Sequence, residues 1–410
     1  MITATRRIIR AAERAFESTR AYARATYFFE RVALQASARP GGPSRSHLVV
    51  VASEGRGNIG DQAMLEAVVA KWHGPIVVIA DHPEAVQHGW AAANVRVEVI
   101  RGVLSRRIVL RNAAARRFWG IVRGAESLVV IGADVMDGVY SPRISVLRST
   151  IASLAASIGV DSRVVGFSWS SSATRGARDA LTRAARSGAR LYPRDPLSYE
   201  RVDAERIGPT SLVTDVVFSS SSATDPRELS EYLSAGGRLV LINASGLIAR
   251  SVDLRPDYVR IVQAIRDWGL LPVLVPHVIR QGDDDLAVLR DIREASGDAA
   301  YLIERQLSPS EIRGLAAKAE FVITGRMHLA IMSMSVGVVP LTLSTVGKVE
   351  GLYSLIQLPS LVLQPTVGFS DSVLDSLNMY RGDFGQLAET LQANLHRVRS
   401  LAEVNFDGWA

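Results

Sequence analysis

From His47 onward, short continuous runs of aliphatic and β-branched residues alternate with longer stretches whose apolar positions recur every three or four residues. The runs predict strands over 48–52, 76–80, 95–100, 128–131 and 164–167, and the longer stretches predict helices over 63–72, 107–119, 144–158 and 175–185. Because the strand runs are apolar throughout instead of alternating, both of their faces must be covered, as in a parallel sheet between two layers of helices. The small polar run Ser219-Ser220-Ser221-Ser222-Ala223-Thr224 interrupts the pattern, and Asp225-Pro226 after it is a helix-start signal. Strands are then expected over 239–243, 272–275, 301–303, 321–324 and 338–343, with helices over 257–268, 284–295, 308–317 and 327–335. The chain reads as α/β with two Rossmann-like halves. A basic helical segment covers 1–45, the first half 46–218, a linker 219–224 and the second half 225–375. A helical segment over 376–410 either closes the second half or crosses back to brace the first.

Composition narrows the chemistry. The 410 residues include no cysteine, which excludes disulfide frameworks, thiolate nucleophiles and thiolate zinc sites together. No apolar run reaches the roughly 20 residues of a membrane span, and the arginine-rich start lacks the apolar core of a secretory signal, so a cytoplasmic protein is expected. Residues 1–45 hold nine arginines against three glutamates, a surplus of six that equals the net charge of the whole chain. The apolar Ile8, Ile9, Phe16, Phe28 and Phe29 among those arginines leave two readings: a peripheral contact with a membrane, or a helix packing on its own domain. A second acid-free cluster runs from Arg101 to Arg123 and includes Arg106, Arg107 and Arg111. Only Lys71, Lys318 and Lys348 are lysines, so a single arginine carries little weight as a phosphate ligand. No nucleic-acid recognition motif accompanies the arginines.

Four segments stand where strands give way to loops, the edge at which open α/β sheets bind ligands. In the first, Gly55-Arg56-Gly57-Asn58-Ile59-Gly60-Asp61, glycines permit a tight turn and helix-start amides can meet an anion. The dinucleotide spacing and the P-loop lysine are both missing, and a plain glycine turn with Asp61 capping a helix is the other reading. In the second, Gly132-Ala133-Asp134-Val135-Met136-Asp137-Gly138, either aspartate can act as base toward a sugar hydroxyl or both can orient the sugar; turn and cap chemistry is the alternative. In the third, Arg194 suits a carboxylate or phosphate, unless it simply pairs with Asp195 or another nearby acid. The fourth, Gly325-Arg326-Met327-His328, ends a buried strand and brings a guanidinium, an imidazole and a helix amino terminus to one point. Arg326 can clamp an anion bidentately and His328 can move a proton, or the histidine is merely satisfied by a backbone carbonyl. His277 after Pro276, and Lys348 with Glu350 after the 338–343 strand, are secondary candidates on the same strand edge.

In this order, Gly57-Asn58-Ile59-Gly60-Asp61, Arg194-Asp195 with Ser198, and Gly325-Arg326-Met327-His328 resemble the polysaccharide pyruvyl transferases, across about residues 47–360. The resemblance implies a GT-B-like fold, two Rossmann-like domains with parallel sheets facing a cleft. It implies phosphoenolpyruvate as donor and no separate cofactor. The product it implies carries pyruvate as a ketal on two hydroxyls of one sugar, in a cell-envelope polysaccharide, glycolipid or lipid-linked precursor. Arg194, Arg326 and His328 would hold the donor's phosphate and carboxylate, with His328 also the leading acid or base. Many relatives have a glycine triplet where this chain has Gly132-Ala133-Asp134, a departure that bears on acceptor recognition.

The chemistry expected from the resemblance needs cations for the donor, a proton donor for its methylene carbon and a base for each hydroxyl. It calls for no metal, and no metal-ligand spacing is recognisable. Two rivals remain: a glycosyltransferase using a nucleotide-sugar donor on the same fold, and a non-catalytic binding protein of envelope-polymer assembly. The presence of Arg194, Arg326 and His328 together argues against the second.

Overall fold

The structure, a computed structural model, describes residues 2–38, 45–53, 57–86, 93–104, 112–344, 348–380 and 384–409. Gly55, Arg56, the arginines Arg106, Arg107 and Arg111, the expected helix start at 107–111 and the first residues of the expected 381–404 stretch lie outside the described residues. Packing divides the chain into two units: one gathers the described residues of 1–54, 68–216 and 403–410, the other those of 55–67 and 217–402.

In the first unit β1 (His47–Val51), β2 (Ile76–Ala80), β3 (Val95–Val99), β4 (Ala125–Ala133), β5 (Asp161–Phe167) and β6 (Arg190–Pro193) form one parallel sheet in the order β3-β2-β1-β4-β5-β6. The helices around it are α1 (Ile2–Glu17), α2 (Arg20–Ala36), α4 (Asn112–Val122), α5 (Pro142–Ser157), α6 (Arg175–Arg186) and α7 (Pro196–Ala204), whereas α3 (Ile59–Val69) lies for most of its length in the second unit. The central strands β1, β2 and β4 are buried along nearly all of their length, as their unbroken apolar runs require. Val95-Arg96-Val97-Glu98-Val99 does alternate, because β3 is an edge strand whose outward Glu98 pairs with Arg96 and Arg117.

Almost every side of α5 is covered, and from inside it the buried Arg148 donates to the carbonyls of Ala52 (2.8 Å) and Ile131. That guanidinium ties together the carboxyl ends of β1 and β4, where the strand order reverses. Residues 403–410 complete this unit: the buried Arg163 donates to the Asn405 carbonyl (3.0 Å) and lies 4.8 Å from the Trp409 ring, while Asn405 donates to the Thr214 carbonyl (3.1 Å).

The second unit repeats the order. Its strands are β7 (Leu239–Asn243), β8 (Leu271–Leu274), β9 (Ile279–Arg280), β10 (Asp283–Asp284), β11 (Tyr301–Leu302), β12 (Ala319–Thr324), β13 (Pro340–Leu343) and β14 (Val362–Leu363). Six of them make a parallel sheet, β11-β8-β7-β12-β13-β14, while β9 and β10 form a short antiparallel hairpin. The accompanying helices are α8 (Ser230–Ser234), α9 (Arg255–Asp267), α10 (Asp285–Ala295), α11 (Pro309–Ala316), α12 (Met327–Ser335), α13 (Lys348–Leu355), α14 (Phe369–Tyr380) and α15 (Phe384–Glu403). Tyr258 of α9 meets Phe369 of α14 edge to face at 5.3 Å in a core that includes Ile242, Leu274 and Ile323. The polar run at 219–224 is strapped down in this unit: Ser220 donates to Glu66 (3.0 Å), Ser222 accepts from Arg313 (2.5 Å), and Thr224 donates to the Ser310 carbonyl (3.0 Å).

Candidate active site

In the second unit the carboxyl ends of β7 and β12 are neighbours at the reversal of strand order, the position at which open parallel sheets take ligands. β12 stops at Thr324, whose hydroxyl accepts from the Arg326 amide (2.9 Å) and lies 3.3 Å from the Asn243 side-chain oxygen. Gly325 must be small, since a Cβ there would stand 2.9 Å from Ser245 Cβ. Arg326 then serves as the extended N-cap of α12 but gives that helix no side-chain hydrogen bond, so the dipole of its amino end is left for another group to meet.

The Arg326 side chain is turned instead onto two acids. It reaches Asp285 from Nε (3.2 Å) and Nη2 (2.5 Å), and Asp283 from Nη1 (3.3 Å) and Nη2. Asp285 is fully buried and also accepts from Asn243 Nδ2 (2.9 Å) and the amides of Gly246 (2.8 Å), His277 (3.1 Å) and Val278 (3.0 Å). One carboxylate thus fastens the loops after β7, β8 and β12. Burial alone would raise its pKa, but the Arg326 charge and the hydrogen bonds from Arg326, Gly246 and Asn243 outweigh burial and hold it below the usual carboxylate range. Burial likewise works against the Arg326 cation, and Asp285 and Asp283 more than restore it.

The glycine turn that follows β1 also belongs here. The Ile279 amide donates to the Gly57 carbonyl (2.7 Å), the Ile59 amide donates to the His277 carbonyl (3.1 Å), and Asn58 pairs with Val278. Gly57 has a φ of 68° and faces the Ile279 carbonyl where a Cβ would go. Asn58 shapes the turn from within, accepting from the Gly60 amide (3.0 Å) and donating to Asp61 (2.9 Å). A Cβ on Gly60 would fall 2.7 Å from His328 Cγ, so only glycine lets the imidazole rest on this backbone. The first and fourth sequence segments therefore meet at His328.

His277 stands behind them. It is fully enclosed, and burial, reinforced by the Arg326 charge, pushes its imidazole down to about 3. It is neutral at physiological pH and cannot supply a proton as an imidazolium. Its buried Nδ1 has no hydrogen-bond partner among the described residues, an atom that a ligand group could satisfy. Met327 opens α12, and Lys348 and Glu350 open α13 after β13; the side chain of Lys348 lies outside the described residues.

The first unit has its own cluster at the carboxyl edge of its sheet, where Asp134 follows β4 at the reversal and Arg194 follows the edge strand β6. Arg194, buried at the end of β6, donates from Nε to Ser168 Oγ (2.9 Å), pairs with Asp134 and stands 3.6 Å from Asp215. Asp195 does not serve as its counter-ion: its carboxylate caps α7, accepting from the amide (2.8 Å) and hydroxyl (2.6 Å) of Ser198, and burial raises its pKa in spite of those bonds. Asp134 keeps 42% of its side chain exposed, while Asp137 is buried and accepts from the Val139 amide (2.9 Å), which is turn chemistry. Ala133 has a φ of 45°, the left-handed region that favours glycine.

Sequence reasoning did not single out Asn243, Asp283, Asp285, Ser168 or Asp215. Asp283-Asp284-Asp285 held a usable signal, because a helix start needs one capping acid, and Asp284 alone fills that role for α10.

Residues 58–345 match the family model described as polysaccharide pyruvyl transferase. Among curated proteins none matches the chain. Solved structures resemble it in fold. The UDP-GlcNAc 2-epimerase of Neisseria meningitidis bound to UDP-GlcNAc aligns with a TM-score of 0.58 at 11% identity, over 88% of this chain and 98% of its own. A putative UDP-N-acetylglucosamine 2-epimerase of Listeria monocytogenes gives 0.59 at 11%, over 87% and 93%. UGT2 of Phytolacca americana, complexed with UDP-2-fluoro-glucose and pterostilbene, gives 0.52 at 11%, over 87% and 94%. These likenesses establish a GT-B fold of two Rossmann-like sheets. With the family model spanning most of the sequence, the chain belongs to the polysaccharide pyruvyl transferase family.

Proposed function

We propose that the protein moves the pyruvyl group of phosphoenolpyruvate onto two hydroxyls of one sugar in an envelope polysaccharide, glycolipid or lipid-linked precursor. The observation that carries this reading is the convergence on α12: its amino end has no side-chain cap, Arg326 begins it, and His328 in its first turn rests on Gly60. A dianionic phosphate suits such a helix end, and the neighbouring imidazole is placed to move a proton. Arg326 shares its fork with Asp283 and Asp285, so in this reading it fixes the floor of the donor site, and the amino end of α12 meets the phosphate.

In the proposed reaction His328 protonates the methylene carbon of the donor, which becomes the methyl group, and a sugar hydroxyl adds to the oxocarbenium-like carbon left behind. A second hydroxyl of the same sugar then displaces inorganic phosphate. Of the two hydroxyl protons, one replaces that given to carbon and the other leaves with phosphate. Asp134 is the proposed base on the first unit, held in place by Arg194.

Thermal unfolding with phosphoenolpyruvate, phosphate, pyruvate and nucleotide-sugars tests the donor, because a ligand of the folded state raises its apparent stability. A shift specific to phosphoenolpyruvate is expected; a shift with nucleotide-sugars alone overturns the reading. His328→Ala should lower acceptor-dependent phosphate release about 100-fold. Unchanged turnover would remove His328 from the chemistry.

A further inference from the structure

The eleven large hydrophobic side chains that are exposed among the described residues are unevenly spread: seven lie on α1, on α2 and at 139–140, all in the first unit. One face of α2, with Tyr22, Ala23, Thr26, Glu30, Ala33 and Leu34, is buried where the helix packs on α4, α5 and α6. Packing on its own domain is thus complete on that face. The opposite face carries Arg24, Phe28, Arg31 and Val32, at i, i+4, i+7 and i+8, which align as one stripe along the helix. Phe28 is 61% exposed and Val32 47%.

The stripe has a charge as well as a shape. The one acid of α2, Glu30, faces inward and accepts a hydrogen bond from the Trp119 indole (3.0 Å), so no carboxylate of this helix offsets the two guanidinium groups. Nor is the helix free to turn these residues inward. Thr19 caps it, the Gly176 amide of α6 donates to the Ser18 carbonyl (2.8 Å), and Arg183 of α6 lies 4.7 Å from the Tyr27 ring. On α1, Arg14 bonds the Val139 carbonyl, and exposed Phe16 follows two residues later.

We propose that this face of α2 docks on an anionic lipid surface, with Phe28 and Val32 entering the acyl boundary and Arg24 and Arg31 bonding lipid phosphates. Charge selects this occupant. A row of apolar side chains flanked by arginines, on a helix whose one acid is turned inward, suits a plane of negative headgroups above hydrocarbon. No helix among the described residues is long and apolar enough to cross a membrane, so the contact is peripheral.

Co-sedimentation of the full chain with vesicles tests the proposal without donor or acceptor, and so separately from pyruvyl transfer. Binding is expected to phosphatidylglycerol-containing vesicles and not to phosphatidylcholine alone, and salt should weaken it. Phe28→Ser with Val32→Ser, and separately Arg24→Gln with Arg31→Gln, should each lower the bound fraction about tenfold with little change in thermal midpoint, since all four side chains are exposed. Wild type that ignores phosphatidylglycerol vesicles overturns the proposal. So does undiminished binding by either pair of substitutions, or retention of a nucleic acid or partner protein by the stripe while vesicles stay unbound.

Discussion

Each unit buries an arginine at the carboxyl edge of its sheet and gives it two carboxylates, yet the two clusters are built for different ends. Around Arg326 both acids are inside, Asp283 with 7% and Asp285 with none of its side chain exposed, and three backbone amides close on Asp285. Around Arg194 only Asp215 is inside, while Asp134 reaches solvent. The first arrangement uses charge to hold loops still. The second uses a buried cation to aim a carboxylate outward. An arginine at a strand end therefore does not by itself signal an anion site, and the exposure of its partner tells the two uses apart.

The largest effect expected from that difference is on stability. Asp285→Asn removes a buried charge that Arg326 and a ring of amides surround, and should lower the unfolding free energy by about 3–5 kcal/mol in denaturant titrations. Asp134→Asn should cost less than about 1 kcal/mol, because its partner keeps Asp215 and the site is wet, but should slow turnover about 100-fold if Asp134 is the base. If the two substitutions destabilise equally, the contrast fails.

Acid sharpens it next. An unfolded histidine takes up a proton as pH falls through 6.5, whereas His277 in the fold does so only near 3, so the unfolded chain binds more protons between those values. Stability present above pH 6.5 is therefore lost on the way down, on the order of 2 kcal/mol by pH 5 from this group. His277→Gln should flatten that part of the stability profile. An unchanged slope would mean that His277 is not held neutral.

The smallest effect concerns Ala133. Replacing it by glycine relieves a left-handed backbone worth about 1–2 kcal/mol but frees the unfolded chain by about 0.4–1 kcal/mol, so a net gain between zero and about 1.6 kcal/mol is expected in thermal unfolding. A loss of stability would show that the methyl group packs usefully.

The strand pattern was readable because burial on both faces forces unbroken apolar runs, and Leu239–Asn243 and Met327–Ser335 stand where periodicity put them. Chemistry was readable only where local geometry demands a residue type, as with Gly325 or the Asn58 turn. Asp285 escaped notice because its partners come from three separate stretches of chain, and one acid in a row of three looks like a cap until the fold is known. The partners of Arg194 were hidden for a related reason: Asp195, adjacent in sequence, is claimed by a helix start, and the acids that do pair with Arg194 stand at 134 and 215. Gly60 shows the same limit from the other side, since its glycine answers to a ring far along the chain that no local pattern announces.

The two units are also interleaved in a way that bears on synthesis. The chain enters the second unit at residues 55–67, returns to the first until 216, fills the second until 402 and ends its course in the first at 403–410. Arg163 and Thr214 must then wait for Asn405 to leave the ribosome before their hydrogen bonds can form, and the glycine turn waits for the 277–279 loop. Neither unit can fold to completion as a nascent fragment, and expressing residues 1–216 or 217–410 alone would give two incomplete pieces in place of two domains.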